Sequence, residues 1–361
     1  MNKIGWGQLG IVLALSRIFA EAANFPRDDI NYGMQRFTVI LLSFLLLAAV
    51  LVPVYVLLRK MPGENVFSAA AVKSPAAAKV LAVIYLAVLL MMMVTATVQL
   101  EFYTSSTIFD TAPAWVVILF ALIACLYGTV KGLSAVARAG VVVAGGFAIL
   151  LILVICGIAQ DIRLCYLTPT LVEHPSRLLP EVLSEFSKNT EAVVFIALCS
   201  QVRGQAQRSL YIYFGLTLAA MLLMTFLYNT VLGEYLDRTS FPFYRLSSLS
   251  DVTLFQRLDG IDAAVWTTAA IIKLSLMTAA AANAVKSAFG GRLVPRITAC
   301  LLLILSSVIG ILYSSNTVDF ISVSRIPQTG ILVIIAALLI PLTGVLLGLA
   351  ADRQKKKKRV S

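Results

Sequence analysis

An all-α integral membrane protein of about ten transmembrane helices is the fold class that three features of this 361-residue sequence predict. Hydrophobic residues make up 60% of the chain and charged residues 13%, against roughly 25% charged in a soluble domain. Apolar runs of about 20 residues, the length that crosses a bilayer as a helix, recur from one end to the other. No polar block long enough to bury its own core interrupts them, and the alternating ten-residue segments of a membrane barrel are absent. The chain therefore reads as one membrane domain, residues 1–351, followed by a basic tail at 352–361.

The runs fall near residues 7–25, 37–58, 80–103, 113–130, 135–159, 180–203, 209–232, 260–287, 295–313 and 328–350. The first, "MNKIGWGQLGIVLALSRIF", has a weakly basic start and no small-residue cleavage site, so it is expected to remain as a helix. The third and eighth exceed about 20 residues and are expected to tilt. Orientation follows from Lys and Arg, which favour the cytoplasmic side. The tail "DRQKKKKRVS" places the C-terminus there, and an even number of spans places the N-terminus there too. With ten spans, cytoplasmic segments hold 18 of the 29 basic residues and, of the 18 acids, only Glu64 and Asp352. One helix more or fewer scrambles that bias. The net charge of +11 is then a topological signal, with the tail drawn to anionic lipid.

Arg17, Glu21 and Lys273 lie inside spans. Lys or Arg near a helix centre costs about 2.5–3.5 kcal/mol on insertion scales, so such residues face a cavity or a partner. On the eighth run Asp259, Asp262, Trp266 and Lys273 follow helical steps and share one stripe. Lys273 is fourteen residues beyond Asp259, about 21 Å deeper, while the two acids stay near the outer mouth. Lys273 is either a snorkelling or carbonyl-paired packing residue, or a fixed cation in a polar cavity. Arg17 and Glu21 stand four apart and can pair on one face; that pair either satisfies itself or lines a site. The sixth run joins an amphipathic turn to an apolar stretch through Ser187-Lys188-Asn189-Thr190, with Glu191 next. This is the pattern of a broken helix whose freed backbone groups bind a substrate, or of an outer loop feeding a short helix. The small residues of "TAAAANAVKSAFGG" at 278–291 are expected to pack helices closely.

Several functions are disfavoured. Cys125, Cys156, Cys165, Cys199 and Cys300 are scattered without CxxC spacing, and His174 is the sole histidine, so no metal or cofactor is expected. No nucleophile–base pair or phosphate loop marks an enzyme. Nucleic acid is an unsuitable partner because the basic residues are divided among short loops.

Gln8 in the first run and Pro26 closing it, "TAPAWVVILFALIACLYGTVKGLSAVARAG" at 111–140, and Glu191 after the break form an ordered set. To these are added "FPFYRLSSLSDVTLFQRLDGIDAAVWTTAAIIK" at 241–273 and a basic tail after a last run containing Pro341. The whole resembles the B-subunit (GerAB-like) family of spore germination receptors, relatives of permeases in the amino acid–polyamine–organocation superfamily. The resemblance implies a LeuT-like 5+5 inverted repeat with helices one and six broken at a midplane site. It implies a germinant-sensing subunit that binds a small, amino acid-like ligand, or alternatively an amino-acid permease, proton-coupled or exchanging. It further implies partner subunits, an A-type membrane subunit and a C-type lipoprotein, in the spore inner membrane or the cell membrane. The substrate-site candidates are Ser16, Arg17, Glu21, Asn189, Thr190, Glu191 and Lys273, and the signature or gating candidates are Arg257, Asp259, Asp262 and Trp266. Ser16-Arg17 stand where the family's first helix carries glycines, Thr190 where a glycine often precedes the Glu, and Gln256 where an acid precedes the Arg.

Overall fold

Ser74, whose hydroxyl accepts a hydrogen bond from Ala77 N–H at 3.2 Å, and Pro75 in the first turn start the longest helix. This computed structural model describes residues 3–22, 33–108, 113–167, 171–172, 174–239, 241–250, 258–291, 293–314, 329–348 and 350. Fourteen helical segments are named here in chain order. They are α1 (Trp6–Ala22), α2 (Met34–Val50), α3 (Val52–Lys60), α4 (Val66–Lys73) and α5 (Pro75–Thr107). Then come α6 (Ala114–Lys131), α7 (Leu133–Ile158), α8 (Pro175–Ser187), α9 (Thr190–Leu198) and α10 (Gln207–Leu227). The last are α11 (Pro242–Leu249), α12 (Asp259–Phe289), α13 (Leu293–Ser314) and α14 (Ile331–Gly348). The strand residues among those described are a two-residue parallel pair, Ile4–Gly5 against Val202–Arg203.

The chain is an all-α, multi-pass membrane protein. Among the described residues seven helices are long and apolar enough to cross a membrane, and α2–α3 makes an eighth if counted as one bent span. That pair bends by 41° around Leu51. Pro53, in the first turn of α3, supplies the cause, since it has no N–H to continue the ladder. The segments near 7–25 and 180–203 also form helix, but α1 has 17 residues and α8 and α9 have 13 and nine. Arg257, Gln256, Pro26 and the tail 352–361 lie outside the described residues.

Two of the expected features of helix continuity are corrected or refined. The first helix is not interrupted at Ser16-Arg17: α1 is continuous from Trp6 to Ala22. Both side chains reach their partners from an intact helical face, so no unwound backbone is needed there. The sixth run does break. Asn189, at φ −81° and ψ 52°, separates α8 from α9.

Burial sorts the helices. Every residue of α9 from Glu191 to Leu198 is buried, and α12 is buried along most of its length. In contrast α6 turns Phe120, Tyr127 and Val130 outward, each at least 65% exposed, as suits a lipid-facing helix. Close approach depends on small residues. A Cβ at Gly10 of α1 would stand 2.7 Å from the Ser209 carbonyl at the start of α10. One at Gly140 of α7 would stand 2.7 Å from Val12 of α1. Ala280, Ala281 and Ala284 on α12 are fully buried, so the small-residue face is a packing face. The result is a central trio, α1, α9 and α12, flanked by the apolar helices α5, α7 and α10.

Candidate functional site

The break between α8 and α9 delivers polar groups to the face of α1 that carries Ser16 and Arg17. Lys188 N–H and Asn189 N–H bond back to the Glu185 and Phe186 carbonyls, which ends α8 in a tightened turn. Asn189 is fully buried and secures the break from both ends of its amide. Its Nδ2 donates to the Phe186 carbonyl at 3.1 Å, while Oδ1 accepts from Tyr213 Oη at 3.0 Å and Arg17 Nε at 3.2 Å. One side chain thereby ties α1 and α10 to the interruption.

Directly beyond it, Glu191 occupies the first turn of α9, where the partial positive charge of a helix start favours a carboxylate. Its Oε1 accepts from Ser16 Oγ at 2.6 Å, Lys273 Nζ at 2.8 Å and Thr190 Oγ1 at 3.2 Å. Lys273 Nζ also donates to Thr190 Oγ1 at 2.9 Å and to the Ser16 carbonyl at 3.4 Å. Lys273 thus points inward, 3% exposed, instead of snorkelling along α12. Its charge is matched by Glu191 and its three donors are spent on α1 and α9, which is how a cation is tolerated at this depth. Glu191 Oε2 is buried and makes no hydrogen bond.

A second, larger ionic group lies on the α8 side of Asn189. Arg17, fully buried, donates from Nη2 to Glu185 Oε1 and lies 3.5 Å from Glu21 Oε2. The Arg17–Glu21 pair predicted from spacing exists, but it is not self-contained. Arg36 of α2 bridges Glu21 and Glu185, at 2.7 Å to each. Lys188 does the same at 3.2 and 3.0 Å. Among the described residues two carboxylates therefore serve three cations, and Arg17 Nη1 makes no hydrogen bond.

Seven predicted residues, Ser16, Arg17, Glu21, Asn189, Thr190, Glu191 and Lys273, are hence neighbours in one region. Asp259, Asp262 and Trp266 are not part of it. Asp262 precedes Lys273 by eleven residues, about 16 Å along α12. It is fully buried, not at an exposed mouth, because α11 and the turn after α10 fold over it. Asp259 starts α12 and bonds its own Gly260 N–H at 3.0 Å. Arg257 lies outside the described residues.

Sequence reasoning missed Glu185, Arg36, Lys188 and Tyr213. A signal for the first existed: Glu181 and Glu185 share a face of α8 with the buried Val182 and Phe186, an unusual place for two acids. Arg36 and Tyr213 carried none, since both sit at ordinary positions of apolar helices.

At the far end of α9 a set of uncharged groups joins three elements. Asn65, which caps α4, donates to the Ala197 carbonyl at 3.3 Å and to Ser287 Oγ at 2.8 Å. Asn283 of α12 donates to the same Ala197 carbonyl and accepts from Gln201 Nε2 at 2.7 Å. Such bonds hold position without the desolvation cost of ions.

In comparison with known proteins, the spore permease family model, described as a spore germination protein, matches residues 24–319. No curated protein matches the chain.

Proposed function

The chain belongs to the spore germination permease family, and on that premise we propose that it is a germinant-sensing membrane subunit. Its ligand is a small zwitterion of the amino-acid class, bound where α1, α9 and α12 meet. The observation that carries this reading is the Glu191–Lys273 pair beside the α8–α9 break, with Glu191 Oε2 left without a partner. An amino acid can exchange into such a pair, its carboxylate taking Lys273 and its ammonium taking Glu191. The charge balance is then kept on entry and exit. Arg17 and Asn189 border the same point, so occupancy is felt in the outer ionic group through the side chains that secure the break.

In this reading the ten apolar runs are ten crossings arranged as two inverted five-helix repeats, with the sixth helix broken and both termini cytoplasmic. Ligand favours one packing of α8 and α9 against α1, and an A-type membrane subunit and a C-type lipoprotein read the change in the spore inner membrane. The test is germination of spores carrying Glu191→Gln or Lys273→Met, with the abundance of the protein measured in each. Loss of response to amino acids is expected in both and in the double variant Lys273→Met/Glu191→Gln, which strands no charge and is the one expected at normal abundance. An unchanged response in both variants rejects the site.

Secondary transport is the second reading, favoured by the uncharged cluster of Asn65, Asn283 and Gln201, which can part without stranding an ion. Flux of labelled amino acids into proteoliposomes separates the two. Flux that Lys273→Met abolishes makes the chain a carrier; none under any gradient leaves sensing.

A further inference from the structure

Asp262 is a fully buried carboxyl group with no cation paired to it among the described residues, whereas Glu21, Glu185 and Glu191 each have one or more. Oδ2 accepts from Tyr103 Oη of α5 at 3.3 Å and from Ser247 Oγ of α11 at 3.4 Å. Both are long; O–H···O bonds to a charged carboxylate run at about 2.5–2.7 Å. The Ser247 hydroxyl has a shorter acceptor, the Tyr244 carbonyl at 2.8 Å. Three neighbouring polar atoms, Asp262 Oδ1, Trp266 Nε1 and Tyr228 Oη, are buried without hydrogen bonds.

Among the described residues the surroundings offer nothing to neutralise a negative charge. On α12 the nearest charged group is another acid, Asp259. From α5 and α11 come the phenols of Tyr103 and Tyr244, and from the turn after α10 comes Tyr228, which lies in the field of both Asp262 and the Glu21–Arg36 pair. Among the described residues α1 and α7 contribute rings here: Phe19 and Phe147 stand 6.2 and 5.5 Å from Trp266, and Phe243 of α11 stands 5.8 Å from it. An unpaired carboxylate in such a place costs several kcal/mol even after relaxation. A metal ion is a poor remedy. Hard cations take about six oxygen ligands, preferably charged, and among the described residues this site offers one carboxyl group, the hydroxyls of Tyr103, Ser247 and Tyr228, and an indole N–H. A proton removes the charge without any ligand set.

We propose that Asp262 is a proton-binding site, distinct from the Glu191–Lys273 pair, whose occupancy sets how the start of α12 packs against α5 and α11. When water removes the proton, the carboxylate draws the Tyr103 and Ser247 hydroxyls and the Trp266 N–H inward. When the proton returns, those contacts relax to the long distances seen here. Eleven residues separate Asp262 from Lys273, about three turns, which leaves both on one stripe within about 20°. A movement of the helix start is therefore transmitted along a rigid rod to the ammonium.

The experiment uses the full chain in lipid nanodiscs with Trp6→Phe and Trp115→Phe, both exposed positions, so that Trp266 is the sole indole. Its fluorescence is followed against pH in buffer free of sodium and potassium. A one-proton transition is expected, lost in Asp262→Asn and kept in Glu191→Gln. An infrared difference spectrum across that transition is expected to show the carbonyl band of a protonated carboxyl group, absent in Asp262→Asn. Should Asp262→Asn fail to fold, Tyr103→Phe and Ser247→Ala carry the test: a midpoint displaced by up to about tenfold in proton concentration in either supports the site. A transition that survives in Asp262→Asn, a midpoint unmoved in both hydroxyl variants, or no transition at all overturns it. So does a saturable response to Na⁺ or K⁺ at fixed pH that Asp262→Asn removes, which would make the occupant a metal cation.

Discussion

Lys273→Met is the perturbation that separates a buried ion pair from an incidental contact. Methionine keeps most of the volume of the lysine stem, so no cavity term intrudes. What changes is the 2.8 Å contact to Glu191, together with the bonds to Thr190 and the Ser16 carbonyl. Glu191, at 1% exposure, is left a buried anion with two hydroxyl donors and, among the described residues, no cation in direct contact. Removing one partner of such a pair costs about 3–5 kcal/mol. At about 1.4 kcal/mol per tenfold, that is a change of more than about a hundredfold in the folded-to-unfolded ratio. The double variant Lys273→Met/Glu191→Gln removes the stranded charge, and most of the loss is expected to return. Reversible unfolding of the purified chain in mixed micelles of mild detergent and dodecyl sulfate measures all four corners of this cycle. A single variant within about 1 kcal/mol of the parent, or a double variant no more stable than the single, would falsify the assignment of Lys273 as a charge held by Glu191.

Glu185→Gln leaves Arg17, Arg36 and Lys188 with Glu21 as the carboxylate they share, and a loss of about 3 kcal/mol or more is expected in the same unfolding assay. Tyr213→Phe removes a 3.0 Å bond to Asn189 and is expected to cost about 1 kcal/mol, with faster hydrogen exchange at residues 187–191 as the more specific readout. Gly10→Val places side-chain atoms where a Cβ already meets the Ser209 carbonyl at 2.7 Å and Ile212 Cβ at 2.8 Å. A drop of about 1–3 kcal/mol is expected, whereas Gly145→Val, with nothing within 4 Å, is expected to be near neutral. Asn65→Ala breaks the cap of α4 and two bonds across to Ala197 and Ser287, and a loss of about 1–2 kcal/mol is expected.

Hydropathy and turn chemistry made much of this architecture readable. The apolar runs each hold a helix, the Ser187–Thr190 stretch breaks one, and Lys273 faces inward to Glu191. Each of these follows from local composition or from a helical stripe. What stayed hidden depends on contacts between residues far apart in the chain. Glu185 meets Arg17 across 168 residues, and nothing local to either marks the other. Asp262 read as an acid at the outer mouth because the eight-residue α11 is too short to register as an apolar run, and nothing in the run at 209–232 marks its end, Tyr228–Leu232, as folding over Asp262. Ser16-Arg17 looked like a site for helix interruption by analogy with glycines. In the structure their side chains do from a continuous helix what unwound backbone would otherwise do. The bend at Leu51 was within reach, since Pro53 stands inside the run at 37–58.

The most direct measurement of the central claim is a cryo-electron microscopy structure of the full chain in nanodiscs with a germinant amino acid bound. The account predicts ligand density between Ser16, Glu191 and Lys273, with the 2.8 Å pair parted and each partner on an opposite end of the zwitterion. Ligand bound elsewhere while Glu191 and Lys273 remain joined would contradict it.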